Sequence, residues 1–379
     1  MKIQLEELIQ LRHELHQHPD LSGDEANTAD IVQNYLNKYS PDELITNIGG
    51  NSLAAVYKGG KDGPTVLFRC ELDALPINEN NDIEYCSLKN GVSHKCGHDG
   101  HMAIVAGVAQ LLHKKRPARG KVILLFQAEE ETGKGAVKVL NDTKFKKLEI
   151  DYAFALHNMP GYEEGSIIIT DNIFASASRG LIIKLKGKSS HAAEPEKGIS
   201  PISALIEIMQ EFDLLNKSKK PFRGFILITI VHLKLGERAF GSSPGYGELI
   251  ATLRSFRDED MEVLVQRISK IVGEITRKEK LSYEFEWVEE FPALVNNKKY
   301  VGLIERLAKG NNFTVIKLND AFRFSEDFAH FTKHFKGAMF GLGSGIDTAP
   351  LHSTVYDFPN QIIEKGIMIF YRIYETFLK

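Results

Sequence analysis

Val122-Ile-Leu-Leu-Phe126 is an unbroken apolar run, and just beyond it stand three consecutive acids, Glu129, Glu130 and Glu131. A run of this length without polar alternation describes a strand buried on both faces. The pattern recurs along the chain. Residues 65–68 form an apolar run leading through Cys70, Glu71 and Leu72 to Asp73, and residues 152–156 form a third that ends at His157. Helical spacing alternates with these strands. Leu5, Leu8, Ile9, Leu11 and Leu15 precede Pro19, a second helical stretch covers residues 24–38, and Val105, Val108, Ala109 and Leu112 share one face. Such alternation predicts an α/β fold with a mostly parallel sheet covered on both faces. Ligands in sheets of this kind bind beyond the carboxyl ends of the strands. Asp73, Glu130, Glu131 and His157 all occupy that kind of position.

The densest chemistry lies between the first and second of these runs. Cys96-Gly-His98-Asp99-Gly-His101 packs a thiol, two imidazoles and a carboxylate into six residues, where a loop enters a helix. Thiolate and imidazole suit zinc and its first-row neighbours, and carboxylates broaden the choice toward manganese. His101 also fits a supporting place, holding a ligand in orientation. His157 and His352 each read as structural when taken singly. With Cys96, His98 and a Glu they make five ligands, about what two metals sharing a bridge need. Adjacent acids at a strand end point in different directions, so one can bind metal while its neighbour faces substrate as a general base. Asp73 reads equally as an acid that orients a ligand and as a turn residue before Pro76.

From about Phe174 the texture changes. Strand-like segments at 180–185, 225–232, 249–256 and 282–288 are interleaved with helical segments at 202–214 and 259–278. Strand, helix, strand, strand, helix, strand is the order of a ferredoxin-like α+β unit. The expected organisation is therefore one domain formed by residues 1–173 and 293–379, interrupted by a second at 174–292. Residues 338–342 supply a late buried strand to the first.

A chain of 379 residues with 43% hydrophobic and 26% charged residues has an ordinary globular composition, and its length favours two domains. A formal net charge of -3 leaves no electrostatic footprint for nucleic acid or an anionic membrane surface. No stretch approaches the roughly 20 apolar residues of a membrane span. Cys70, Cys86 and Cys96 show no disulfide spacing, and residues 1–17 lack a signal-peptide core, so a reducing cytoplasm is the expected home. Gly341-Leu-Gly343-Ser-Gly345 lacks the Lys-Ser/Thr of a phosphate-binding loop. Ser189 and Ser190 beside His191 lack a nucleophile elbow.

Six blocks in order carry a family resemblance: residues 11–20 (LRHELHQHPD), 71–76 (ELDALP), 95–101 (KCGHDGH), 126–136, 156–161 and 350–358. The chain resembles the amidohydrolase branch of the aminoacylase-like di-metal peptidases. That branch holds hippurate hydrolases, bacterial N-acyl-amino-acid amidohydrolases and plant auxin-conjugate hydrolases. The resemblance implies a metallopeptidase-like α/β catalytic domain with an inserted ferredoxin-like lid, through which members commonly form homodimers. It implies two divalent ions (Mn, Zn, Co or Ni) on Cys96, His98, Glu131, His157 and His352, with Glu130 as general base. Glu129 then stands where the family usually has Ala. His191, in Ser-Ser-His-Ala-Ala, matches the lid histidine that helps the oxyanion, and Asp73 joins the catalytic set. Arg254 and Asn158 are the expected substrate-binding residues. Ser325-Glu-Asp-Phe328 matches a further motif near the site.

One position departs from the family pattern. Gly241 stands where the family often has Asn near the carboxylate end of the substrate, which bears on specificity and not on the metal centre. The implied reaction is hydrolysis of N-acyl amino acids to a carboxylic acid and an amino acid. Three other readings compete with it: an exopeptidase using the same site, a catalytically silent metal- or ligand-binding protein, and a cysteine hydrolase using Cys96 and His98.

Overall fold

The unbroken apolar runs become the middle of a sheet that has eight strands among the described residues, in a computed structural model that describes residues 3–379. The strands are β1 (Glu43–Ile48), β2 (Ser52–Lys58), β3 (Thr65–Glu71), β4 (Lys121–Gln127), β5 (Tyr152–Pro160) and β6 (Ile167–Thr170), with Val315–Leu318 and Lys336–Gly345. Their order is β1, β2, β4, β3, β5, Lys336–Gly345, β6, Val315–Leu318. β3 runs parallel to β4 and β5, and β5 runs parallel to Lys336–Gly345. All seven residues of β3 are buried, as expected of a strand covered on both faces. Because β3, β4 and β5 run the same way, their carboxyl ends share one edge of the sheet.

Three helices matter for that edge: α1 (Leu5–Gln17), α2 (Ala26–Asn37) and α3 (His98–Lys114). Every residue of α3 from His98 to Leu112 is buried, with α1, β3 and the C-terminal helix Ile363–Leu378 packed around it. A helix buried on all sides belongs in the middle of a core. Gly100 lets Phe358 close onto α3, since a Cβ there would stand 2.3 Å from the Phe358 ring. Under β3, the Phe68 ring lies 4.7 Å from that of Phe370 and 6.3 Å from that of Phe154. Burial of each such side chain contributes roughly 1.5–3 kcal/mol. Among the described residues no helix is long and apolar enough to cross a membrane.

β1, β6 and Val315–Leu318 are additions to the sequence reading. They are short or lie toward the sheet's edges, and half-buried positions in β1 and Val315–Leu318 blur the apolar pattern. The chain divides into two compact units. The first takes the residues up to Phe174 with Leu294–Asp320 and Asp327–Lys379, and the second takes Ala175–Ala293 and Ala321–Glu326.

The second unit carries a four-stranded sheet in the order Ile226–Leu235, Tyr246–Ser255, Ala177–Lys186, Ser282–Phe291, with antiparallel neighbours throughout. Helices Ile202–Lys217 and Asp258–Lys278 pack on it. This connectivity and strand order are those of a ferredoxin-like unit. Burial in Tyr246–Ser255 alternates strictly, which turns Leu249, Ala251 and Leu253 toward the helices. In Asp258–Lys278 the buried Met261, Leu264, Ile268, Val272 and Ile275 form one stripe. Acids in its first turn and bases in its last complement the helix dipole.

Candidate metal centre

α3 begins at His98 itself, one residue after Gly97, whose φ of +91° turns the chain into the helix. His98, Asp99 and His101 therefore sit in the first turn of α3, with Cys96 just ahead. The Nδ1 of His98 donates to the main-chain oxygen of Asp73 at 2.8 Å, beyond the end of β3. Its Nε2 is buried and has no hydrogen-bond partner. Around that atom stand Glu131 Oε1 at 3.9 Å and Glu130 Oε2 at 4.0 Å. An orphaned imidazole nitrogen facing two carboxylates is the arrangement a cation completes.

From the end of β5, His157 donates through Nδ1 to the Asn158 main-chain oxygen at 2.8 Å and turns Nε2 toward Cys96 Sγ, 3.5 Å away. His352 has a positive φ of 64°, and its Nε2 lies 4.0 Å from Glu131 Oε1. Donor atoms of Cys96, His98 and His157 lie within 4.8 Å of one another, and so do those of Cys96, Glu131 and His352. Cys96 belongs to both triads. One thiol, three imidazoles and a carboxylate form a donor set that would fit first-row divalent ions, and the sulfur is common to both triads.

Electrostatics point the same way. Burial opposes a charge on His98, but Asp73, Glu71 and Glu131 outweigh it and push its pKa up to about 10. That surplus of negative charge favours a cation, which would take the place of the Nε2 proton. Burial, reinforced by His101, pushes His157 down to about 3, leaving a neutral imidazole with a lone pair to offer.

The three acids after β4 separate cleanly. Glu129, at φ +56°, pairs with Lys138 and receives no part in the cluster. Glu131 donates its amide to Asp73 Oδ2 at 2.9 Å and turns its carboxylate to His98 and His352. Glu130 Oε1 accepts the main-chain N–H of Asp327 at 3.4 Å. Asp73 thus acts on two of these groups at once, holding His98 through its carbonyl and Glu131 through its carboxylate.

Asn158, expected as a substrate contact, stands beside the cluster. It is fully buried, its Nδ2 donates to the Tyr356 hydroxyl, and its main-chain N–H donates to His101 Nε2 at 3.1 Å. These bonds tie it into the framework of the centre. His101 is likewise committed at both nitrogens, because Nδ1 meets Glu71 Oε2 at 2.6 Å. Asp99 is bound by Arg12 Nε and by His16 Nδ1, each at 2.8 Å.

Behind the cluster lies a buried charge network that motif reading by itself passes over. His16 Nε2 meets Glu79 Oε1 at 3.0 Å, and Lys95 Nζ donates to the same oxygen at 2.6 Å. A signal for it exists in the sequence: Arg12 and His16 fall on the apolar face of α1 beside Leu8, Leu11 and Leu15. Charged residues on a core-facing stripe are rare unless paired.

The remaining two expected residues belong to the second unit. His191 is exposed, pairs in a short bridge with Ser242, and accepts the Ala193 N–H at Nδ1 (3.1 Å). Arg254 Nη1 donates to the Arg323 carbonyl at 2.8 Å and to Ser325 Oγ at 3.1 Å. Gly241 has open space where a Cβ would stand.

A mostly parallel α/β sheet that ends in a buried thiol, imidazole and carboxylate cluster defines a metal-dependent hydrolase of amide bonds. The chain belongs to the peptidase family M20/M25/M40, whose model matches residues 67–376. An N-acetyl-L-cysteine deacetylase of Bacillus subtilis is 30% identical over 345 residues, spanning 90% of this chain and 81% of that one. A dinuclear metal binding peptidase of the M20 family from the same organism superposes with a TM-score of 0.82 at 24% identity, over 98% of this chain and 97% of that one. An aminopeptidase from Bacillus cereus superposes with a TM-score of 0.72 at 18% identity, over 98% of each chain.

Proposed function

We propose that the chain hydrolyses the amide bond of N-acyl amino acids, releasing a carboxylic acid and an amino acid. The observation that carries this reading is the placing of Glu130. It stands 4.0 Å from the orphaned Nε2 of His98, inside the ligand cluster and oriented by a main-chain amide. The N-acetyl-L-cysteine deacetylase relative supports an acyl amino acid as substrate.

Cys96, His98, Glu131, His157 and His352 would hold two divalent ions drawn from Mn, Zn, Co or Ni. When bound, these supply Lewis acidity that makes water nucleophilic at neutral pH and polarises a carbonyl. Glu130 accepts the proton of the attacking water on Oε2 and delivers it to the leaving amine nitrogen. Asp73 holds His98 and Glu131 in place during both transfers. His191, whose Nδ1 accepts an amide N–H, carries its proton on Nε2 and serves as a donor to the oxyanion. Arg254 offers its guanidinium to the substrate carboxylate.

A reducing cytoplasm suits an enzyme that needs Cys96 as a thiolate. The second unit is assigned the part of a lid and dimerisation domain in a homodimer. Its edge strand Ile226–Leu235 exposes Ile230, Val231 and Leu233, a surface that invites pairing with a second copy.

The test is a side-by-side assay of N-acetyl amino acids, N-benzoyl amino acids and dipeptides after loading with each metal. Preference for acyl amino acids is expected. Faster turnover of dipeptides would replace this reading with an exopeptidase on the same site. No turnover with any ion would favour a silent binding protein.

A further inference from the structure

Arg69 lies within β3 and is fully buried. Its guanidinium meets Glu71 through Nη1 and Asp327 through Nη2, and Nε donates to Gln127 Oε1 at 3.0 Å. A guanidinium this deep is costly unless every donor is answered, and here two carboxylates and an amide answer it. What the charge holds in place is the informative part.

Both carboxylate oxygens of Asp327 are committed. Oδ1 takes Arg69, while Oδ2 accepts Gln127 Nε2 at 2.7 Å and the Ala136 N–H at 2.9 Å. A residue pinned at its side chain presents its own main-chain N–H in one direction, and that N–H is the one donating to Glu130 Oε1. With Oε1 engaged, the Glu130 carboxylate is kept from rotating and Oε2 faces the ligand cluster.

We propose that Arg69 is a positioning residue for the general base, acting on Glu130 through Asp327. The proposal rests on the reading of Glu130 as that base. A second arm runs the other way, from Arg69 through Glu71 to His101 and on to the Asn158 amide, beside the ligand His157. Arginine is required because its planar fork serves three acceptors at once, which the single ammonium of lysine does not.

The experiment is a double-mutant cycle on the metal-loaded enzyme. Arg69→Lys and Asp327→Asn are each made alone and on the Glu130→Gln background, and kcat, KM, bound metal and melting temperature are measured. Each single variant should lose at least about tenfold in kcat, with KM within about twofold and both ions retained. Added to Glu130→Gln, each should cost less than about twofold more, because the base it positions is already gone. Equal losses in both backgrounds, or loss of bound ions, would overturn the positioning role and leave the base assignment standing. Near-normal turnover by Glu130→Gln alone would overturn that assignment, and the proposal with it. If Arg69→Lys does not fold, Asp327→Asn decides the matter, since it keeps the shape of the side chain.

Discussion

His98 donates through Nδ1 to the main-chain carbonyl of Asp73 at 2.8 Å, with the Asp73 carboxylate 3.5 Å from the same nitrogen. The bond fixes the imidazole so that Nε2, the atom without a partner, faces Glu130 and Glu131. A short stretch after β3 thereby aims the His98 imidazole and, through Asp73 Oδ2, braces the backbone of Glu131.

Asp73→Ala should therefore weaken metal binding without removing a ligand. Loss of such a partner typically costs about 10–100-fold in metal affinity. Titration against a chromophoric chelator would measure it, and unchanged affinity would remove Asp73 from the centre.

Glu130→Gln and Cys96→Ala should fail in opposite ways. The first should keep both ions and lose about 10²–10⁴ in kcat, the range of a general base. The second should release at least one ion, because Cys96 stands in both triads. Elemental analysis beside kinetics separates the two, and full metal content in Cys96→Ala would remove Cys96 from the proposed ligand set.

His16 makes stability depend on alkaline pH. Burial disfavours its charge, but hydrogen bonds and attraction from Asp99 and a hydrogen bond from Glu79 win and raise its pKa to about 9. A pKa raised in the folded state contributes stability in full below the unfolded value of 6.5, and that stability is lost as pH rises through 9. The contribution is at most about 3 kcal/mol. Chemical denaturation from pH 6 to pH 10 should show a decline that His16→Gln flattens; an equal slope in both proteins would contradict it.

Gly100→Ala should destabilise the first unit by about 1–3 kcal/mol, the usual cost of overpacking a tight core. The new methyl meets the Phe358 ring at 2.3 Å, so either the ring or the first turn of α3 must move. A lower melting temperature with weaker metal binding is the expected pair of effects, since that turn carries His98.

Much of the framework is legible in the sequence. The runs at 65–68, 122–126 and 152–156 read as buried strands because both sheet faces are covered, and no charged residue interrupts them. Alternation in Tyr246–Ser255 and the apolar stripe of Asp258–Lys278 likewise follow from one covered face each. β1 and Val315–Leu318 escape such a reading, because their half-buried positions leave no clean period.

The sequence by itself determined the candidates for the site: which strands end in acids or histidine, and which loop brings Cys96 and His98 to a helix. Local pattern and residue chemistry suffice for that. Only the tertiary structure decided how the members divide the work. It turned Glu129 away to Lys138, gave Glu130 an amide and Glu131 two imidazoles, and sent Asn158 inward to Tyr356. It also gathered Arg12, His16, Arg69, Glu79 and Asp327 behind the cluster from across the first unit. The reason is physical: a carboxylate or imidazole has the same chemistry wherever it falls, and its role is set by the partners that burial forces on it.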